Sequence, residues 1–294
     1  MELDIILWIQ QIASPFWDSV FQWITVFGEP ITVIVLLAAI YWSVDKELGE
    51  HLAYTILTGF CLNGAVKDAF RLERPIGQPG VRSVRLETAT GYSFPSGHTQ
   101  NTACWTGYIA RWRKSTGGWI AAAGISLLVA ISRIYLGVHY PKDVAVGLAL
   151  GFATPFLTVA LQKKVPDREK LSLMTLLFFL PMLFYVRSKD SFLALSLLAA
   201  FCASMYLQKI ISANGNAFLP DIWRNSTVSE KIIRLFVGLV FLAAVYLPLD
   251  LLLPAQVGWS CLKYGLLTFL ATGVYPCLFV PFHNFWIRCK RRFR

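Results

Sequence analysis

Charge is what this 294-residue chain has little of: 15% of its residues are charged, against 56% hydrophobic. A soluble domain usually carries about 25% charged residues. The deficit argues against ordinary soluble domains, and long apolar runs with few charges recur from end to end, the pattern of a polytopic membrane protein. CxxC spacing is missing as well. The six cysteines (Cys61, Cys104, Cys202, Cys261, Cys277 and Cys289) mostly lie inside apolar runs. They read as small buried apolar residues rather than disulfides or metal ligands. The start, MELDIILW, lacks a basic n-region and a small-residue cleavage site, so the first hydrophobic helices are expected to target the chain. Neither an internal repeat nor a low-complexity segment is evident.

What is present in excess is positive charge, +10 net. The basic residues fall in short loops rather than along one amphipathic face, so membrane topology accounts for them and a nucleic-acid partner is not expected.

Three regions are expected: an amphipathic lead-in over 1–29, a membrane core over 30–170, and further helices with a basic tail over 171–294. In the lead-in, Ser14-Pro15 suits an N-cap and first helical residue, and Gly28-Glu29-Pro30 breaks the helix. Trp8, Trp17 and Trp23 suit a membrane interface. Spans are expected near 30–44, 51–70, 98–112, 119–138, 143–162, 171–186, 191–211, 232–253 and 259–280. Nine spans put the termini on opposite sides. Seventeen Lys and Arg then fall on the side of the C-terminal tail and nine on the other. The positive-inside rule places the tail in the cytoplasm.

Three fragments concentrate polar residues at the outer ends of these runs: Lys67–Pro75 (KDAFRLERP), Pro95–His98 (PSGH) and Ser132–Asp143 (SRIYLGVHYPKD). Charges beside lipid are costly and mark functional sites. Lys67, Arg71 and Arg74 at i, i+4 and i+7 are expected on one helical face, with Pro75 ending the helix. Taken alone, they read first as interfacial anchors. Ser96 reads as an N-cap whose helix start offers unpaired N–H groups to a phosphate oxygen, and Gly97 permits close approach. His139 and Asp143 lie one helical turn apart, where a carboxylate can hold an imidazole tautomer. Arg133 brings another guanidinium to the same rim. Each fragment alone also fits a structural role, but their joint occurrence on one side points to a phosphate site.

K-x6-RP, PSGH and SR-x5-H-x3-D together resemble the three-part signature of the type 2 phosphatidic acid phosphatase superfamily, over roughly residues 51–162. The resemblance implies an all-α, polytopic helical bundle with a six-helix core, here followed by three to four additional spans. It also implies metal-independent hydrolysis of a lipid phosphate through a phosphohistidine. Carried over, His139 is the nucleophile, Asp143 its orienting carboxylate and His98 the general acid. Lys67, Arg74, Ser96, Gly97 and Arg133 hold the phosphate. Arg71 lies outside the signature and is expected as an outer cation or headgroup contact. No metal site or cofactor is expected, because Asp68, Glu73, Glu87 and Asp143 do not form an oxygen cage.

The loop over 76–94 reads either as a headgroup gate carrying Arg82 and Arg85 or as a passive connector. Tyr92 and Phe94 read as interface anchors. Asp250 and Lys263 are expected to pair, His283 carries no role, and the Asn225-Ser226-Thr227 glycosylation pattern is discounted on the cytoplasmic side. A membrane lipid phosphate is the expected substrate. The expected setting is a bacterial inner membrane with the site facing outward, or an endoplasmic-reticulum membrane with a lumenal site. A noncatalytic lipid-binding or transport protein, or a vanadate-dependent haloperoxidase, are the rival readings.

Overall fold

The computed structural model describes residues 1–213 and 226–279, and every regular element among them is helical. The chain partitions into two compact units. The first comprises residues 1–34, 55–164 and 179–194; the second comprises 35–54, 165–178 and the described residues from 195 onward. His283, Asn225 and the basic tail lie outside the described residues.

The first unit opens with α1 (Glu2–Ile9) and α2 (Pro15–Thr25). Ser14 caps α2 by accepting from the Trp17 N–H at 3.4 Å, with Pro15 in the first turn. A short 3₁₀ turn over Val26–Gly28 follows, and α3 (Pro30–Ala39) starts at the proline. The bend between the two stretches is 50°, where the Gly-Glu-Pro triplet denies the helix its hydrogen bonds. Next come α4 (Lys46–Phe70), α5 (Gly97–Arg113), α6 (Thr116–Tyr135) and α7 (Pro141–Lys164). Ser115 caps α6 through the Gly118 N–H. The tight α6–α7 turn depends on Gly137, whose φ is +66° and whose Cβ, if present, would stand 2.3 Å from the Arg82 carbonyl. Gly151 serves close packing instead: a Cβ there would meet Ala103 at 2.5 Å, so α7 lies directly on α5.

Helix α5 turns polar residues inward. Gln100 donates to the Gly59 carbonyl at 2.9 Å and accepts from Asn63 at 2.8 Å, tying α5 to α4. Asn101 donates to the Gly28 carbonyl at 3.0 Å, tying α5 to the bend after α2. Outward-facing α6 and α7 instead expose Ile120, Leu127, Leu128, Ile131, Phe156 and Leu157, an apolar surface suited to lipid.

The second unit contains the start of α4, α8 (Arg168–Phe179) up to Phe178, and the body of α9 (Lys189–Ala213). It also contains α10 (Val228–Leu252) and α11 (Val257–Phe269), the latter continuing through a π-helical turn to Phe279. Trp42, Tyr275 and Phe279 form its aromatic core. The expected Asp250–Lys263 ion pair is present.

Among the described residues, α6, α7, α9, α10 and the stretch Val257–Phe279 are long and apolar enough to cross a membrane. The bent pair over Pro15–Gly28 and Pro30–Val44 makes a sixth candidate. The other expected spans exist as helices but differ in kind. Helix α4 carries charges near both ends, α5 is 17 residues long with a buried polar face, and α8 runs only 12 residues before the chain tightens at Leu180-Pro181. At 1.5 Å per residue, α8 reaches about 18 Å, short of a hydrocarbon core of roughly 30 Å.

Candidate active site

The site lies at one end of the first unit, where α4 finishes, α5 starts, and α6 turns into α7. Lys67 occupies the last turn of α4 and is buried. The helix ends at Phe70, because Arg71 takes a left-handed conformation (φ +52°). This corrects the expectation of three cations on one helical face. Arg71 turns away, donating to the carbonyls of Asp68 and Tyr185. Arg74 reaches the site from the non-helical segment that follows, so its direction is set by the chain break rather than by helical periodicity.

The loop before α5 supplies neutral acceptors for these cations. Lys67 donates to the Tyr92 carbonyl. Arg74 donates to the carbonyls of Thr90 at 2.6 Å, Gly91 at 3.1 Å and Val138 at 3.0 Å. Arg82 pairs bidentately with Asp18, at 2.5 and 2.6 Å, and Arg85 pairs with Glu29. Both guanidinium groups are therefore engaged by carboxylates. The loop is pinned at Val84 and Ser83 to the α6–α7 turn, and its 90–92 carbonyls frame the cations. It is thus more than a connector. Phe94 packs edge-on against Phe70.

The Arg74 guanidinium also approaches Nε2 of His139, with 2.9 Å between nitrogens. A guanidinium has donors and no acceptor, so Nε2 must present its lone pair and the ring proton must sit on Nδ1. Nδ1 faces Asp143 Oδ2 at 3.4 Å, and the same oxygen accepts from Ser93 Oγ and from the Tyr140 N–H at 2.9 Å. The arrangement holds a neutral imidazole with an available nitrogen. Burial, followed by Arg74, Arg133 and Lys67, pushes the His139 pKa well below the usual imidazole value. Burial likewise lowers the Arg74 guanidinium, to about 10.

Arg133, at the end of α6, is fully buried. Its Nη1 donates to Thr25 Oγ1 at 2.9 Å and, more weakly, to Thr88 Oγ1 at 3.4 Å. Its Nε and Nη2, and Nε2 of His98, are buried without a hydrogen-bond partner among the described residues. Ser96 stands at the start of α5 as expected, but its side chain caps no N–H. Its Oγ accepts from Thr99, and its N–H donates to the Asp143 carbonyl at 2.9 Å. A Cβ on Gly97 would meet Asn63 Oδ1 only at 3.5 Å. Packing therefore does not demand glycine there.

Lys67, Arg74, Ser96, Gly97, His98, Arg133, His139 and Asp143 thus belong to one end of one unit. Sequence reasoning missed Ser93, Thr25, Thr88 and the 90–92 carbonyls. Thr25 lies 108 residues from Arg133, and a lone threonine at a helix end carries no local signal. Among the described residues, no group of three or more His, Cys, Asp or Glu side chains comes together as a metal set.

Comparison with known proteins identifies the family. Residues 49–167 match the PAP2 superfamily, and residues 193–284 match the transmembrane extension of PAP2 superfamily phosphatases. The chain is 28% identical over 182 residues to a lipid phosphate phosphatase delta of Arabidopsis thaliana, covering 56% of this chain and 43% of that protein. It is 30% identical over 169 residues to phosphatidylglycerophosphatase B of Bacillus subtilis strain 168, covering 52% of this chain and 79% of that protein. A crystal structure described as a transmembrane PAP2 type phosphatidylglycerolphosphate phosphatase from Bacillus subtilis aligns with a TM-score of 0.47 at 28% identity, covering 55% of this chain and 84% of that one. The chain therefore spans less than half the length of the plant relative and most of the bacterial one. With the two family matches, the bacterial relative and the assembled signature residues, the chain belongs to the PAP2 superfamily of membrane phosphatases.

Proposed function

We propose that the protein hydrolyses a phosphomonoester or diphosphate of a membrane lipid through a phosphohistidine on His139, without a metal ion. The observation that carries the reading is the set of buried, unpartnered nitrogens. Nε and Nη2 of Arg133, with His98 Nε2, are turned out of water and left without a protein acceptor. Such groups cost about 1–3 kcal/mol each when unsatisfied. A phosphate would supply the missing acceptors.

In this mechanism the substrate phosphate enters between Arg74 and His139, and the guanidinium exchanges Nε2 for phosphate oxygens. His139 Nε2 attacks phosphorus. The N–P bond forms as the bond from phosphorus to the lipid oxygen breaks, and His98 delivers a proton to that oxygen. Water then attacks the phosphohistidine while neutral His98 takes its proton, and the N–P bond breaks to release phosphate. Asp143 holds Nδ1–H throughout and offsets the positive charge that develops on the ring. Lys67, Arg74 and Arg133 stabilise the spread charge of the transferring group, the main requirement of a loose phosphoryl-transfer transition state. Ser96 Oγ and the Gly97 N–H complete the cradle at the start of α5.

The lipid leaving group fits a membrane setting, since α6 and α7 carry an apolar outer surface beside the site. On the nine-span reading of the sequence, the distribution of Lys and Arg favours the face opposite the basic tail, extracytoplasmic or lumenal. The decisive experiment is phosphate release by the purified protein from a panel of lipid phosphates, in excess chelator, with His139→Ala as control. Release that survives His139→Ala would sink the mechanism. No release from any lipid would favour a noncatalytic binding protein.

A further inference from the structure

The start of α9 is docked beside the phosphate cradle by two carboxylates with different jobs. Asp68 follows Lys67 on α4 and is fully buried. It accepts from the N–H groups of Arg187 at 3.0 Å and Ser188 at 3.1 Å, and from the hydroxyls of Ser188 and Ser191. Four donors on one carboxylate lock this turn against α4. Gly64 leaves the necessary room, since a Cβ there would stand 2.6 Å from Ser191 Oγ. This docking delivers Asp190 to the loop before α5. Its carboxylate accepts from Thr90 Oγ1 at 3.2 Å, with the second oxygen at 3.4 Å, and lies 3.3 Å from where a Cβ on Gly91 would be.

Thr90 and Gly91 are not arbitrary positions. Their carbonyls, with that of Tyr92, hold Arg74, and Tyr92 also holds Lys67. Asp190 therefore grips the strip of backbone that aims two of the three phosphate-binding cations. It also adds a negative charge at the edge of a site built to attract an anion. Neither role belongs to the signature fragments, and Asp190 sits three residues before the matched transmembrane extension begins.

We infer that Asp190 is a positioning residue that orients Arg74 through Thr90 while weakening the grip on phosphate, so that product leaves after each turnover. The inference rests on the phosphatase reading for its consequence, but its physical content is anion affinity and is measurable without turnover. A carboxylate near a caged dianion opposes binding by direct Coulomb repulsion. Its hydrogen bond to Thr90 acts the other way, by keeping Arg74 aimed.

The two roles separate in two variants. Asp190→Asn keeps an acceptor for Thr90 and removes the charge; Thr90→Val keeps the charge and removes the hydrogen bond. Binding of inorganic phosphate to the full-length purified chain, measured by equilibrium dialysis, should tighten about 3–10-fold in Asp190→Asn and weaken about 3–10-fold in Thr90→Val. A residue that merely holds α9 in place would shift both variants in the same direction. That result, or two affinities within twofold of wild type, would overturn the inference. Thermal melting of both variants at the wild-type temperature shows that folding is not the cause. If wild type binds phosphate yet hydrolyses no lipid phosphate, the catalytic reading fails while opposite shifts in the two variants still uphold the role of Asp190 in anion affinity.

Discussion

Each unit gathers a cluster of cations around a polar centre, and these two clusters are satisfied differently. In the second unit, Lys46 and Arg168 both bind the carboxylate of buried Glu50, and Arg168 also reaches Glu47 at 3.0 Å. Gln208 joins in by accepting from Lys46 at 2.6 Å and donating to Tyr41 Oη at 2.8 Å. Lys209 pairs with Glu169. In the first unit, Lys67, Arg74 and Arg133 bind backbone carbonyls and threonine hydroxyls, and the one carboxylate at the centre, Asp143, is turned to His139. A carboxylate cancels a cation's charge, whereas a carbonyl orients it and leaves the charge in place. The first arrangement stabilises a fold; the second keeps a positive field for an incoming anion.

The largest expected effect tests the first unit's centre. His139→Ala should lower turnover by at least about 10⁴-fold and abolish phosphoenzyme trapping, since removal of a nucleophile is not rescued by its neighbours. His98→Ala should cost about 10²–10⁴-fold on a lipid phosphate, yet still form phosphoenzyme from an ester with a good leaving group. Equal losses on both substrates would remove His98 from the acid role.

Arg74→Ala should lower kcat/KM about 10²–10³-fold and also change the pH profile. In the proposed mechanism His139 attacks in its neutral form, so the rate should fall as pH drops through its pKa, which lies below the usual imidazole value. Removing the nearby guanidinium makes protonation easier and raises that pKa. The acid limb should therefore move to higher pH, and an unmoved limb would mean Arg74 does not face the nucleophile.

The counterpart in the second unit is Glu50→Gln. It should leave kcat/KM within about twofold, while the melting temperature falls, because Lys46 and Arg168 lose the charge of the buried carboxylate they share. A large catalytic loss with unchanged stability would erase the contrast between the units. The smallest effect is expected from Ser93→Ala, a loss of about 3–10-fold from one hydrogen bond to Asp143.

Much of the architecture was legible. Scarce charge and recurring apolar runs specify membrane helices, Ser14-Pro15 and Gly28-Glu29-Pro30 mark a helix start and a break, and Asp250 pairs with Lys263 as their placement suggests. Where the reading slipped, a local rule was overridden. Periodicity put Arg71 and Arg74 on a helix, but α4 unwinds at Arg71 and only Arg74 is carried inward. Ser96 stands where an N-cap belongs, yet its hydroxyl turns to Thr99. Helices α4 and α5 are more polar than a lone lipid-facing span because their polar faces satisfy one another.

By itself, the sequence determined the chemical inventory: two histidines, a carboxylate, three cations and a Ser-Gly helix start, at spacings that resemble the PAP2 signature. Side-chain type and position along the chain need no fold to be read. Only the tertiary structure decided which acceptors hold the cations, which tautomer His139 presents and that Thr25, Ser93 and Asp190 reach the site. Hydrogen bonds are directional and join partners such as Thr25 and Arg133, 108 residues apart, so they exist only once the helices are packed.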